Sequence, residues 1–138
     1  MQNLNDQYNI IGIDGGASHS RAILFTDKGK TLASETDMGT NLSLYKETAS
    51  QRIISMITQL CKTAKISFDD VDAVGLGLAS ASDQDGRDLV FKGLDSLNLS
   101  QRALIMNDAE ASFEVSCPIN EGILVTIGTG VICIGKKD

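Results

Sequence analysis

The strand Tyr8-Asn-Ile-Ile-Gly-Ile-Asp14 runs directly into Gly15-Gly16, and no other junction in the chain limits the fold so sharply. An apolar strand must be paired and covered, and two glycines at its end permit an immediate reversal. Ser20 to Thr26 (SRAILFT) then reads as the returning strand. Asp27-Lys-Gly-Lys30 is a second turn and Thr31 to Thr36 a third strand, so the chain opens with an antiparallel meander.

The period then changes. Ile53, Ile54, Ile57, Leu60, Cys61 and Ala64 recur at three- and four-residue spacing, which predicts a long amphipathic helix over roughly residues 44–65. Val71 to Leu78 (VDAVGLGL) reads as a strand covered on both faces and therefore central. Leu89, Val90, Gly93, Leu94 and Leu97 mark a second helix. Ala103 to Met106 is a short buried strand, closed by Asn107-Asp108 where a third helix begins. The order βββαβαβα predicts an α/β fold with a mixed five-stranded sheet and helices on its faces. At 138 residues, with 42% hydrophobic and 22% charged side chains, the chain has the composition of a globular domain with a substantial core.

The tail repeats the opening logic. Gly122 to Ile127, Gly128-Thr129-Gly130 and Val131 to Gly135 form an apolar strand, a glycine turn and an apolar strand. This reads as the start of a second, duplicated lobe, with one domain over residues 1–118 and the first hairpin of a truncated lobe over 119–138. Such a hairpin, without its own core, is expected to pack on a neighbouring molecule, to become disordered, or to drive homodimerisation or looser association through its free edges.

A net charge of −6 argues against nucleic acid or an anionic membrane as partner. It does not argue against ATP, whose phosphates can be held by backbone N–H groups and Mg²⁺. The polar start MQNLNDQYN lacks the pattern of a signal peptide, and no apolar run approaches a membrane span. Cys61, Cys117 and Cys133 lie far apart among apolar or small residues, which predicts buried free thiols in a reducing cytoplasm. The lone His19 cannot build a metal site.

Two glycine turns and two strand-end aspartates carry the chemistry. Glycine lets the backbone approach a ligand closely, so that successive N–H groups can converge on a phosphate oxygen. Neither GxxxxGK[ST] nor GxGxxG is present. The segments GIDGGASHSRAIL, NDAEAS and IGTG, in that order and spacing, resemble the sugar-kinase, actin and heat-shock-chaperone ATPase superfamily. Within it the likeness is greatest to the N-acetylglucosamine kinases and related BadF-type ATPases, over only about the first half of a typical member. The resemblance implies a ribonuclease-H-like, actin-like ATPase domain. It further implies that a second lobe supplies the nucleoside pocket, so that this chain alone binds ATP poorly and turns over slowly or not at all.

The resemblance also implies roles for individual residues. Asp14 would hold Mg²⁺ through water, while Gly15, Gly16 and Ser18 would contact the ATP phosphates. Gly128, Thr129 and Gly130 would form the second phosphate turn, although Val131 and Ile132 stand where many relatives have small polar residues. Asp108 would be the catalytic base that accepts the sugar hydroxyl proton, and would also touch the sugar. A helix N-cap is the plain alternative for Asp108. Asn41, in Gly39-Thr40-Asn41, resembles the family's sugar-binding asparagine, with a helix cap again the alternative. Asn107 would bind sugar or orient Asp108. The small-residue run Gly75 to Ser82 would line the cleft or satisfy packing.

The expectation is therefore an ATP- and Mg²⁺-dependent kinase of a sugar or amino sugar. Two rivals are an activator ATPase of a radical dehydratase or reductase and a module that senses nucleotide or sugar without transfer.

Overall fold

The computed structural model describes residues 7–117, 121–127 and 131–137. Strands β1 (Asn9–Gly15), β2 (His19–Thr26) and β3 (Thr31–Met38) form the predicted meander. β4 (Ala73–Leu78) and β5 (Ala103–Asn107) add to it in parallel with β1, giving a five-stranded mixed sheet in the order β3-β2-β1-β4-β5. Helices α2 (Glu47–Ala64), α3 (Gln84–Asp95) and α4 (Asp108–Ser116) connect or follow the strands.

The central strand is β1, with β4 beside it. The expectation of a doubly covered β4 holds for one face. Val74, Leu76 and Leu78 point into the core, in register with Ile11, Ile13 and Gly15 of β1. There α2 lays down Ile53, Met56, Ile57, Leu60 and Cys61, and α3 adds Val90 and Leu94. On the other face Gly75 is exposed, because its β1 neighbour is Gly12 and α4 covers only the β4–β5 end of the sheet.

The predicted helix over 44–65 is two helices. A short α1 (Leu42–Tyr45) ends at Lys46, whose φ of 42° breaks the helix before α2 begins. Neither glycine nor proline marks the break, so it was invisible to periodicity. β6 (Gly122–Ile127) and β7 (Val131–Lys136) pair as a separate antiparallel hairpin. Among the described residues no helix is long and apolar enough to cross a membrane.

Candidate active site

The parallel strands β1, β4 and β5 end at one edge of the sheet, and every candidate among the described residues lies along that edge. In open α/β sheets the carboxyl ends of parallel strands form the ligand crevice, because the following loops splay apart there. Asp14 is the penultimate residue of β1, and its Cα partner on β4 is Gly77. A Cβ on Gly77 would lie 3.6 Å from the Asp108 Cα and 2.9 Å from the Ala111 Cβ. The missing side chain therefore lets the first turn of α4 rest on β4, and places Asp14 and Asp108 on either side of Gly77.

Asp14 is exposed, and its carboxylate makes no hydrogen bond or ion pair among the described residues. It stands where two grooves meet. One, of about 550 Å³, runs over the open sheet face past Gly12, Gly75, Leu104 and Met106 and reaches Asp108. The other, of about 870 Å³, passes Ser18, His19, Arg21 and Asp37. Arg21 is the cross-strand neighbour of Asp14 and lines both.

The Gly15-Gly16 turn departs from the expected use of glycine. Neither residue takes a positive φ. Gly15 is required for space: a Cβ there would sit 2.2 Å from Thr40 Oγ1 and 2.5 Å from Leu78 Cδ2. Gly16 donates its N–H to the His19 carbonyl at 3.0 Å, which leaves Ala17 and Ser18 at the tip. His19 itself opens β2 as an exposed strand residue.

Asn41 lies at the same edge. The Leu42 N–H donates to the Ala79 carbonyl beyond β4, and the Ala79 N–H donates to the Gly15 carbonyl. Its side-chain Oδ1 accepts from the Leu44 N–H at 3.0 Å, so Asn41 caps α1. That occupies one lone pair and leaves the amide N–H₂ for a ligand. At α4 the N-cap is Asn107, not Asp108. Asn107 Oδ1 accepts from Ala109 N–H, and Glu110 returns a bond to the Asn107 N–H in a capping box. Asp108 follows as the first helical residue, with Oδ1 accepting from its neighbour Ala109 at 2.8 Å. The cap and the candidate base are therefore separate residues. The Gly75–Ser82 run divides as well: Gly75 faces open space while Gly77 is needed for packing. Gly128, Thr129 and Gly130 lie outside the described residues.

No cluster of three or more His, Cys, Asp or Glu suited to a metal exists among the described residues. A single unpartnered carboxylate, Asp14, fits Mg²⁺ of the kind that keeps its waters and is held chiefly by phosphate. Cys61 alone of the thiols is fully buried; Cys117 is partly buried and Cys133 exposed, so the expectation of three buried thiols fails on the hairpin. Burial and then the nearby Asp70 charge push the Cys61 thiol above its ordinary value. Thr40, Tyr45, Arg52 and Gly77, which shape the edge, carried no sequence signal beyond their place beside Asn41 or within the small-residue run.

Residues 11–138 match the model of the BadF/BadG/BcrA/BcrD ATPase family. The chain belongs to that family. This BadF-family chain is 28% identical over 129 residues to the N-acetylmuramic acid/N-acetylglucosamine kinase of Clostridium acetobutylicum, covering 93% of the chain and 42% of the relative. It thus spans less than half the length of the curated relative it matches. Among solved structures it is similar to a protein of Chromobacterium violaceum provisionally assigned as N-acetylglucosamine kinase, with a TM-score of 0.72, 23% identity, and 91% and 44% of the two chains covered. It also resembles a reductive activator for a corrinoid, iron–sulfur protein, with a TM-score of 0.63, 14% identity, and 92% and 29% covered. These structural likenesses support the actin-like ATPase fold of the family member described here.

Proposed function

We propose that this chain is the N-terminal part, residues 1–118 with the first hairpin of a second lobe, of an ATP-dependent amino-sugar kinase acting on N-acetylglucosamine, glucosamine or a close relative. The observation that carries the proposal is the pairing of Asp14 and Asp108 across Gly77 at the carboxyl edge of the sheet. The kinase named among the relatives supplies the substrate class.

In this reading Gly15, Gly16 and Ser18 present the first turn to the phosphates of ATP, and Gly128, Thr129 and Gly130 present the second. Asp14 would hold hydrated Mg²⁺, and the ion would supply positive charge to offset that of the phosphates. Asn41 offers its free amide hydrogens to sugar hydroxyls, and Asn107 fixes the start of α4 so that Asp108 faces the acceptor. The sugar oxygen bonds to the γ-phosphorus as the bridging P–O bond breaks. The electron pair leaves with ADP, and the hydroxyl proton passes to the Asp108 carboxylate. Rigid strand ends suit this work, since positioning supplies most of the catalysis in phosphoryl transfer. The reaction belongs to the reducing interior of a cell, where ATP and free thiols coexist.

The test is phosphoryl transfer by the full-length protein to a panel of hexoses and amino sugars, with Asp108→Asn alongside. Sugar-dependent ADP release that falls about 10²- to 10⁴-fold in kcat in the variant is the expected result. ATP hydrolysis indifferent to every sugar would transfer the assignment to an activator ATPase. Tight binding without transfer would indicate a sensor.

A further inference from the structure

The β1–β2 turn is braced from behind by a segment to which the proposed chemistry assigns no task beyond Asn41. Gly39 and Thr40 pass beneath the turn so closely that a Cβ on Gly39 would lie 2.0 Å from the Ala17 carbonyl oxygen. The Thr40 N–H donates to the Gly16 carbonyl at 3.0 Å. The fully buried Thr40 hydroxyl shares a 2.9 Å hydrogen bond with Ser20 Oγ. Tyr45 Oη donates to the Ala17 carbonyl at 3.1 Å. Behind it, Arg52 lies 4.9 Å from the Tyr45 ring centroid and donates through Nη1 to the Gly39 carbonyl.

These bonds have a directional consequence. In a trans peptide the C=O and N–H of one unit point in opposite directions, and no peptide here is cis. Holding the Gly16 and Ala17 carbonyls back towards Thr40 and Tyr45 therefore turns the Ala17 and Ser18 amides the other way. Neither amide has a hydrogen-bond partner among the described residues. Two successive N–H groups facing one side form a concavity for an anionic oxygen. The break at Lys46 is what separates Tyr45 from the start of α2 and leaves its ring beside the turn.

We propose that Tyr45, backed by Arg52, is a positioning residue that presents the Ala17 and Ser18 amides to a phosphate oxygen of the nucleotide. The choice of nucleotide as ligand rests on the kinase reading above. Because Asn41 continues the same braced segment, the sugar contact and the phosphate turn are fixed to one another.

Tyr45→Phe in the full-length protein keeps the ring against Arg52 and removes only the hydroxyl. The expected result is a KM for Mg²⁺-ATP raised about fivefold to tenfold, the size of one hydrogen bond, with kcat and the sugar KM changed far less. Titration with inorganic pyrophosphate should shift the Ala17 and Ser18 amide NMR signals in the wild type and shift them less in the variant. Arg52→Lys, which keeps the charge and loses the fork, should move both readouts in the same direction by a smaller amount. Unchanged ATP KM and unchanged amide shifts would overturn the proposal. So would a fall of every kinetic parameter in step with the folded fraction, which would mark a purely structural tyrosine. If the wild type phosphorylates no sugar but its amide shifts respond to pyrophosphate and depend on Tyr45, the kinase reading fails and the positioning role stands.

Discussion

The five-stranded sheet and the C-terminal hairpin are built from the same kind of sequence, and only one of them is buried. Ile11, Ile13 and Leu24 in the sheet are at most 4% exposed, whereas Ile123 and Ile127 in the hairpin are 75% and 79% exposed. Apolar segments on either side of a glycine-bearing stretch suffice to form the strands in both places. Burial depends on what lies above them: α2 and α3 cover the sheet, while among the described residues the hairpin packs chiefly against α4. Where the hairpin meets α4, Lys136 pairs with Glu114 and sits 5.0 Å from the Phe113 ring centroid. An exposed ion pair of this kind contributes about 0–1 kcal/mol, far less than a covered apolar face.

Truncating one aliphatic side chain in each region would break the comparison most directly if it is wrong. Leu24→Ala empties a fully buried position and is expected to cost about 2–5 kcal/mol in urea unfolding. Ile127→Ala removes an exposed side chain and should stay within about 0.5 kcal/mol of the wild type. Equal losses would mean that the hairpin is covered in solution by something this arrangement does not show.

Glycines sharpen the contrast inside the sheet itself. Gly15 and Gly75 both sit in strands beside β1 or within it, yet a Cβ on Gly15 meets Thr40 and Leu78 while one on Gly75 meets nothing within 4 Å. Gly15→Ala should therefore destabilise by about 1–3 kcal/mol through overpacking. Gly75→Ala should be neutral or slightly stabilising, because it restricts the unfolded chain without a clash. Thermal unfolding of the two variants side by side decides it, and a costly Gly75→Ala would show that the open groove is occupied.

The same contrast explains which parts of this chain could be read in advance. The five strands, the helices on 84–95 and 108–116 and the two aspartates at strand ends follow from period and punctuation, which are local. The break at Lys46 is not local: a lysine at φ 42° is held there by α1 ending on the Asn41 cap and α2 packing on the sheet. The brace from Thr40 and Tyr45 joins residues more than twenty positions apart and leaves no pattern in either segment. Gly15 and Gly75 are identical letters whose difference lies wholly in their neighbours. At the site, the sequence placed Asp108 and Asn107 together but could not say which one caps the helix.

The cysteines report on the hairpin more gently than a substitution does. Cys133 is exposed on β7 and Cys61 is buried under the sheet with its thiol held protonated by burial and by Asp70. Iodoacetamide at neutral pH should modify Cys133 well before Cys61, since the thiolate is the reacting form. If copies of this chain associate through the apolar hairpin, Cys133 labelling should slow as protein concentration rises, in parallel with a growing sedimentation coefficient. Rapid labelling of Cys133 at every concentration, with a constant monomeric coefficient, would rule out that association.

The smallest expected effect concerns acid, and it is read at the carboxyl that caps α3. Asp83 caps α3, accepting from the Gly86 N–H at 2.8 Å, from Ser43 Oγ at 3.1 Å, and facing Lys46 Nζ at 3.8 Å. The backbone bond from Gly86 is the main reason its carboxyl lies below the ordinary value of 3.8, with Ser43 and Lys46 helping and desolvation opposing. Asp70 is lowered likewise, by the backbone and then the hydroxyl of Ser67. A carboxyl whose folded value is depressed favours the charged form in the native state. Its contribution is therefore complete above the unfolded value and is lost as pH falls below 3.8 through the folded one. Urea midpoints measured from about pH 5 to about pH 3 should decline in the wild type. Asp83→Asn keeps a capping oxygen but cannot titrate, so its curve should be lower at pH 5 and flatter below it. Parallel curves would show that the Asp83 cap does not discriminate between the charged and neutral carboxyl, and that the tie between α3 and the Asn41-bearing helix is one of packing, through the close approach of Gly86 to Leu42.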